Sequence, residues 1–203
     1  MLKDDKERLK KYASISDFIW VKDNALTSEF CKHCIERFES DHQLVPGIVG
    51  AGLRKDIKDT MDLMITNIGT WPEEDKVFSK SLTESLHEYE AYIENIAPSF
   101  EVGLHEYYDT GYQIQRYEPN TGGYRWHHDD NVIQSQEQRS MTFIWYLNTV
   151  KEDGYTEFID GTRVRAKEGR LVIFPSGWTF LHRGYPPKNQ RKYICTGWLH
   201  AQG

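Results

Sequence analysis

The first half of the chain alternates between short apolar clusters and longer stretches with helical spacing. Phe18–Val21 is apolar and lies between charged residues, which predicts a short strand. Apolar residues recur every three or four positions over 24–39 and again over 73–97, which predicts two helices, the second ending at Pro98. Residues 41–60 between them are rich in glycine and charged residues, so we expect a long loop there.

The second half has a different pattern, with short β-branched and aromatic runs separated by Gly, Pro, Asn and Asp. Such regular alternation of strands and turns is typical of a sandwich or jelly roll. The predicted strands are Tyr112–Tyr117, Thr142–Leu147, Thr156–Ile159, Arg163–Ala166, Arg170–Phe174 and Tyr193–Thr196. We therefore predict an α+β fold that is mainly β, with a double-stranded β-helix (jelly-roll) core buttressed by N-terminal helices.

The length of 203 residues suits a single domain over 1–203. Within it, 1–99 is expected to be mostly helical support with a strand, and 100–203 to be the jelly-roll core. Hydrophobic residues make up 38% of the chain, including 6 Trp, 12 Tyr and 9 Phe, which is enough to build a sizeable core. This composition argues against a disordered chain.

Charge and cysteine content narrow the choice of partners and compartment. The net charge of −6 makes a nucleic acid an unlikely partner, because phosphate binding favours a basic face. The charged start of the chain lacks the apolar region of a secretory signal, and no apolar run is long enough to span a bilayer. Three cysteines do not suit a disulfide framework, so we expect a cytoplasmic protein with no membrane partner.

Candidate metal ligands are concentrated in the run His127-His128-Asp129-Asp130. On a strand, alternate residues share a face, so either His127 with Asp129 or His128 with Asp130 could point at one metal. The spacing leaves both registers open, and a solvated polar strand end remains the simpler alternative. His182 follows an apolar run that we expect to be buried, and it would complete a set of two histidines and one carboxylate. That set binds Fe(II) on one face and leaves the other open.

A pair of cations follows His182 at the start of a predicted strand. Arg191 and Lys192 are adjacent, so they point to opposite faces, and one of them should reach the interior. An isolated buried cation is costly, and a bound organic acid would offset that cost. The alternative is that both cations are solvated at the strand start.

Several pieces of sequence occur in a fixed order in the second half of the chain: Gln115-Arg-Tyr117, Gly122 to Asp129, Arg139 to Thr142, Tyr146-Leu147, Gly154 to Phe158, Gly169 to Phe174, His182, and Lys192 to His200. In these pieces and their order, the chain resembles the prolyl 4-hydroxylase-like branch of the 2-oxoglutarate/Fe(II) dioxygenases. The resemblance covers about Tyr112 to His200. It departs from the family pattern at Gly154-Tyr155, where two glycines are usual, and at His128, where an aromatic residue is commoner.

The resemblance assigns roles to single residues. It implies His127, Asp129 and His182 as metal ligands and Lys192 as the partner of the far carboxylate of 2-oxoglutarate. It further implies cosubstrate contacts from Tyr117, Thr142 and Trp198, and substrate contacts from Tyr124 and His200. Those roles make 100–203 the catalytic core.

The resemblance also implies an activity. It is a 2-oxoglutarate- and Fe(II)-dependent hydroxylation, most simply of a prolyl residue in a peptide or protein, coupled to decarboxylation of 2-oxoglutarate to succinate and CO₂. Ascorbate would keep the iron reduced. The alternatives are the same chemistry on another side chain or a small molecule, or a non-catalytic jelly-roll binding module.

Overall fold

A computed structural model of the protein describes residues 14–66, 69–97, 103, 107–130 and 138–201. Two α-helices lie within these residues, α1 at Ser28–Ser40 and α2 at Pro72–Ile96. Helix α1 begins later than the sequence predicts, because the Thr27 hydroxyl accepts a hydrogen bond from the Phe30 N–H and so caps the first turn. Pro98, predicted to end α2, lies outside the described residues.

The described residues also form thirteen strands. They are β1 Trp20–Lys22, β2 Val45–Pro46, β3 Lys58–Asp59, β4 Met61–Met64, β5 Tyr107–Asp109, β6 Gln113–Tyr117, β7 Gly123–His127, β8 Arg139–Tyr146, β9 Thr156–Phe158, β10 Arg163–Val164, β11 Arg170–Pro175, β12 His182–Gly184 and β13 Lys192–Ala201.

The strands form two antiparallel sheets. The larger sheet has the order β1-β11-β8-β13-β6-β4-β2, with β5 also paired to β13. The smaller has the order β10-β9-β12-β7-β3. The two antiparallel sheets, with the helices packed against the larger one, are consistent with the predicted jelly roll. The predicted fold class, α+β and mainly β, is confirmed.

Strand β8 shows how the layers pack, because its two faces enter different cores. Phe143 and Trp145 belong to the core shared with the helices, whereas Ile144 and Tyr146 belong to the core between the sheets. A strand buried on both faces carries apolar residues at nearly every position, which is why 142–147 shows no polar alternation. Thr142 lies on the same face as Ile144 and so brings a hydroxyl into the space between the sheets.

The part before residue 99 carries four strands, β1 to β4, instead of the single strand that the sequence predicts. The loop predicted for 41–60 contains two of them, β2 and β3. Strands of two residues are too short to show any period in the sequence, and they exist because their neighbours in the sheets hold them. The run before His182 also differs, since Trp178 lies in a short 3₁₀ turn and is 71% exposed.

The three cysteines are free, and all lie in the core shared by the helices and the larger sheet. Burial raises the pKa of the Cys31 thiol to about 12 and also raises the pKa values of Cys34 and Cys195. These thiols therefore pack as small apolar groups. Within the described residues, no helix combines the length and apolar character that crossing a membrane requires.

Candidate metal centre

Three ligand-type side chains meet at one end of the smaller sheet. Strand β7 ends at His127 and strand β12 begins at His182, and the two residues are direct cross-strand partners. Asp129 lies just beyond β7, where its backbone N–H donates to the Ser176 carbonyl at 3.1 Å. The Nε2 atoms of both histidines lie 3.6 Å from the Asp129 carboxylate oxygens. Within the described residues this is the one group of three whose ligand atoms converge, all within 4.8 Å.

The hydrogen bonds of the two imidazoles leave one nitrogen of each ring available for a metal. His127 Nδ1 lies 2.7 Å from the Arg125 carbonyl, and His182 Nδ1 lies 3.0 Å from the Phe180 carbonyl. A carbonyl oxygen can only accept, so each Nδ1 carries the proton and each Nε2 presents its lone pair towards Asp129. A backbone partner of this kind fixes the tautomer and the ring orientation of a ligating histidine.

The electrostatic environment keeps His127 and Asp129 in the protonation states that metal binding requires. Burial and the adjacent His182 ring lower the pKa of His127 to about 3, so the ring is neutral well below the usual histidine range. Burial alone would raise the pKa of Asp129, but His182, His127, Thr142 and Trp198 outweigh it and lower that pKa. The donor set is thus two imidazoles and one carboxylate, which suits Fe(II).

Asp129 is held by a buried hydroxyl pair. The Thr142 hydroxyl donates to Asp129 Oδ2 at 2.8 Å, and Ser176 Oγ lies 2.9 Å from Thr142 Oγ1. The resemblance assigns Thr142 to the cosubstrate carboxylate, whereas in the structure its hydroxyl is committed to the metal-site carboxylate. Thr142 lines the cavity as well as orienting Asp129.

We expect Thr142→Val to weaken Fe(II) binding roughly 10–100-fold, the usual cost of losing a group that orients a ligand. An anaerobic Fe(II) titration without 2-oxoglutarate measures this. Thr196→Val is the matched control, because the Thr196 hydroxyl is also buried in the cavity wall but donates to the Phe143 carbonyl. Equal Fe(II) affinity in the two variants would contradict this role of Thr142.

Lys192 lies in the wall of the same cavity as the three ligands. Its side chain is almost fully buried, with Nζ 4.0 Å from the centre of the Tyr117 ring. Among the described residues its ammonium has no carboxylate partner, and burial lowers its pKa to about 7. Arg191 faces outward instead and pairs with Glu118 at 3.0 Å and Glu39 at 3.2 Å. The start of β13 therefore places one cation inside and one outside.

The buried ammonium makes a testable contribution to stability. Its pKa is about 7 in the folded protein and about 10.5 in an unfolded chain, so between these values the unfolded state binds more protons. Stability from this group therefore rises with pH across that window, by about 1 kcal/mol per pH unit. Urea unfolding of the metal-free protein at several pH values, compared with Lys192→Met, isolates this slope. The same slope in both proteins would contradict the prediction.

The remaining predicted residues are only partly brought together. Tyr117, Tyr124 and Trp198 line the cavity. Tyr117 donates its hydroxyl to Gln115 Oε1 at 2.9 Å, and Tyr124 stacks on His127 with ring centres 3.5 Å apart. Burial raises the pKa of Tyr124 to about 12, so its hydroxyl stays protonated.

His200 is not among the residues that line the cavity. It continues the inward face of β13, but the pairing of β13 with β8 shifts between Leu199 and His200. Its ring instead stacks beside Tyr108 at 5.8 Å and lies 3.4 Å from the Thr110 hydroxyl. A register shift of this kind has no signal in the sequence.

Sequence reasoning missed two charged residues near the cavity. The Arg139 guanidinium lies 3.6 Å over the Trp198 ring, and Lys58 Nζ lies 5.6 Å from the Tyr124 ring centre. Arg139 belongs to a piece of the family pattern, so it could have been proposed from that match. Lys58 lies in the segment predicted as a loop, and no motif there singles out this lysine.

Comparison with known proteins gives a family and a fold. Residues 112–200 match the 2OG-Fe(II) oxygenase superfamily, over a little under half of the chain. No curated protein matches the sequence. Among solved structures, a viral collagen prolyl hydroxylase from Paramecium bursaria Chlorella virus-1, in complex with 2-oxoglutarate, is similar with a TM-score of 0.65 and 20% identity. That match covers 91% of this chain and 97% of the viral chain.

Two further prolyl hydroxylases are similar over nearly the whole chain. The prolyl-4-hydroxylase of Pseudomonas putida has a TM-score of 0.65 and 18% identity, covering 96% of this chain and 98% of its own. A prolyl hydroxylase of Trichoplax adhaerens, in complex with a hypoxia-inducible-factor peptide fragment, has a TM-score of 0.72 and 14% identity, covering 98% and 92%. These matches establish the shared fold. Residues 112–200 therefore carry a 2OG-Fe(II) oxygenase domain, and the chain shares the fold of these solved prolyl hydroxylases.

Proposed function

We propose that this oxygenase hydroxylates a prolyl residue of a peptide or protein, with 2-oxoglutarate as cosubstrate. The observation that carries the proposal is the convergence of His127, Asp129 and His182 in one cavity with the buried cation Lys192. A metal triad alone suits many metal-dependent enzymes. A buried ammonium that has no carboxylate partner among the described residues adds a site for an organic anion beside it.

Some residues of the cavity would bind the metal and others would bind the cosubstrate. His127, Asp129 and His182 would hold Fe(II), which when bound supplies O₂ activation coupled to loss of CO₂ from 2-oxoglutarate. Lys192 would bind the far carboxylate of the cosubstrate and so fix its reach towards the metal.

Other side chains of the wall complete the cosubstrate pocket. Tyr117 lies against the Lys192 ammonium and would contact the same carboxylate, and the resemblance assigns that contact to Thr142 too. Ile144, Ile194 and Trp198 supply apolar surface, which keeps bulk water from the reacting atoms.

The balance of the reaction follows from these parts. One oxygen atom of O₂ enters the substrate C–H bond as a hydroxyl, and the other enters succinate as 2-oxoglutarate loses CO₂. Ascorbate belongs to the proposal as the reductant that returns oxidised iron to Fe(II). We also propose a reducing, cytoplasmic setting, which the three buried free thiols support.

A groove outside the cavity favours a polypeptide substrate over a small molecule. It shares Tyr124 and Gly184 with the cavity and continues across the surface. Its other walls come from the 55–59 segment and from Thr121, Gly123, Arg125, Arg183, Tyr185 and Pro186. A small molecule needs only the cavity, whereas a chain flanking the target residue needs an open path of this kind.

Two observations favour a prolyl residue as the target of hydroxylation. Tyr124 lines the cavity beside the metal ligands and offers an aromatic side chain against which a pyrrolidine ring can pack. The similar proteins from the Chlorella virus, Pseudomonas putida and Trichoplax adhaerens are described as prolyl hydroxylases, the first as a collagen prolyl hydroxylase and the last in complex with a peptide fragment.

The test is an assay with Fe(II), 2-oxoglutarate, ascorbate and a panel of proline-containing peptides. Mass spectrometry should find a product one oxygen atom heavier, with succinate formed in equal amount and the oxygen on the prolyl ring. Matched peptides with alanine in place of proline, and free proline, are the controls. Succinate formation that is stimulated by free proline alone, or by the alanine peptides equally, would contradict the prolyl-peptide proposal.

A further inference from the structure

A buried ion pair connects the two sheets beside the cavity. Lys58 lies on β3 of the smaller sheet and Asp62 on β4 of the larger sheet, and Lys58 Nζ is 2.6 Å from Asp62 Oδ2. The two side chains are only 6% and 2% exposed. The Thr60 hydroxyl donates to the other carboxylate oxygen at 2.7 Å, so the carboxylate is fully engaged.

A buried ion pair is poor evidence for stability. Removing two charges from water costs about as much as their attraction returns, and apolar replacements are often as stable. The gain from such a pair is a fixed geometry, because a carboxylate bound by two donors has one arrangement. The neighbours of the pair therefore indicate what it positions.

The first neighbour is Tyr124, the residue shared by the cavity and the groove. Lys58 and Tyr124 are direct cross-strand partners, and the ammonium lies 5.6 Å from the ring centre. The same ring stacks on the ligand His127 at 3.5 Å. Tyr124 is thus held between a metal ligand and the ion pair.

The second neighbour is the 47–57 segment, which connects β2 to β3 and forms part of the groove wall. Gly47 donates its N–H to the Thr60 carbonyl, and a Cβ there would lie 2.1 Å from Thr60 Oγ1 and 3.0 Å from Asp62 Oδ2. At the other end, the Ile57 carbonyl accepts from the Arg125 N–H of β7. The segment therefore begins in contact with Thr60 and Asp62 and ends at Ile57, next to Lys58.

We infer that the Lys58–Asp62 pair is a positioning device for the substrate entrance, which holds Tyr124 and the 47–57 segment where the groove opens into the cavity. The inference rests on the proposed function, because it assigns these residues to polypeptide binding at the same site. It predicts that losing the pair harms substrate binding far more than metal or cosubstrate binding.

The test uses Lys58→Met combined with Asp62→Asn, which removes both charges and keeps an acceptor for Thr60. The control is Arg37→Met combined with Glu74→Gln, which removes another ion pair with a buried carboxylate, between α1 and α2. Lys58→Arg restores the cation at the same place. Urea unfolding identifies variants that are merely destabilised.

We expect the double variant at 58 and 62 to raise KM for the peptide at least about tenfold, since small misplacements near reacting groups cost up to about 10²-fold. KM for 2-oxoglutarate should stay within about twofold, and more succinate should form without peptide hydroxylation. Lys58→Arg should recover most of the wild-type value. A peptide KM like that of the Arg37/Glu74 control would overturn the inference.

A second measurement needs no substrate. The tyrosines are replaced by 3-fluorotyrosine, and the ¹⁹F resonance of Tyr124 is assigned by its loss in Tyr124→Phe. We expect this resonance to move towards the value of a solvent-averaged ring in the Lys58/Asp62 variant only. An unmoved resonance would overturn the positioning role, whatever the peptide assay shows. Failure to hydroxylate any prolyl peptide would refute the proposed function and would leave the positioning role to be decided by the resonance.

Discussion

Asp129→Asn should abolish 2-oxoglutarate-dependent turnover, through a loss of Fe(II) affinity of at least roughly 100-fold. This exceeds the roughly 10–100-fold cost of losing a supporting group, because a ligand itself is lost. The substitution keeps the shape of the side chain and an acceptor for Thr142, but it removes the negative charge of the carboxylate, whose two oxygens each face one histidine. The measurement is an anaerobic visible spectrum with Fe(II), before and after 2-oxoglutarate. Chelation of the 2-oxo acid should give a charge-transfer band in wild type that the variant lacks.

Asp130→Asn is the matched control, since it makes the same change one residue away. The Asp130 side chain accepts from Gln138 and does not belong to the converging group. The control should keep the band and wild-type Fe(II) affinity. Loss of the band in Asp130→Asn with retention in Asp129→Asn would assign the metal to the other register. Absence of the band in folded, iron-loaded wild type would contradict chelation of 2-oxoglutarate altogether.

Lys192→Met should weaken 2-oxoglutarate binding by a factor between roughly 30 and several thousand. Truncating one partner of a buried charge pair costs about 2–5 kcal/mol, which corresponds to that range in Kd. Fe(II) binding should be retained, because the ammonium is not a ligand. Titration of the charge-transfer band with 2-oxoglutarate gives Kd directly. The variant should also unfold at higher urea concentration at pH 7, because it no longer buries a cation.

Arg191→Met tests whether position matters more than charge. It removes a cation next in sequence, but one that faces outward and pairs with Glu118 and Glu39. We expect its Kd for 2-oxoglutarate to stay within about twofold of wild type, since exposed ion pairs contribute about 0–1 kcal/mol. Comparable losses in both variants would show that general positive charge, and not the buried ammonium, attracts the cosubstrate.

The sequence alone predicts the ligand types but not the register in which they act. Alternation along a strand leaves His127 with Asp129 and His128 with Asp130 equally possible. In the structure β7 ends at His127, so Asp129 is placed by a turn and by the Ser176 carbonyl, not by strand alternation. Those contacts come from residues far along the chain and have no local signature.

Long periodic helices could be predicted from the sequence, whereas two-residue strands and the close packing of one strand against its neighbours could not. The long helices agree with their predicted spans to within a few residues, because an apolar stripe repeats over several turns. Strand β13 runs to Ala201, well past its predicted end, although Gly197 within it looks like a break. That glycine lets the strand pass the Phe143 ring and the Gly111 carbonyl, since a Cβ would lie 2.6 Å and 2.5 Å from them.

Because Cys31, Cys34 and Cys195 are buried, the rate at which their thiols react with a labelling reagent measures how often the core opens. Alkylating reagents and peroxides attack thiolates, and in the native core these thiols stay protonated and covered. By-products of iron and oxygen chemistry therefore meet no exposed thiol among the described residues. Labelling by iodoacetamide requires the helices to leave the larger sheet, so its rate follows the opening of that interface in any variant.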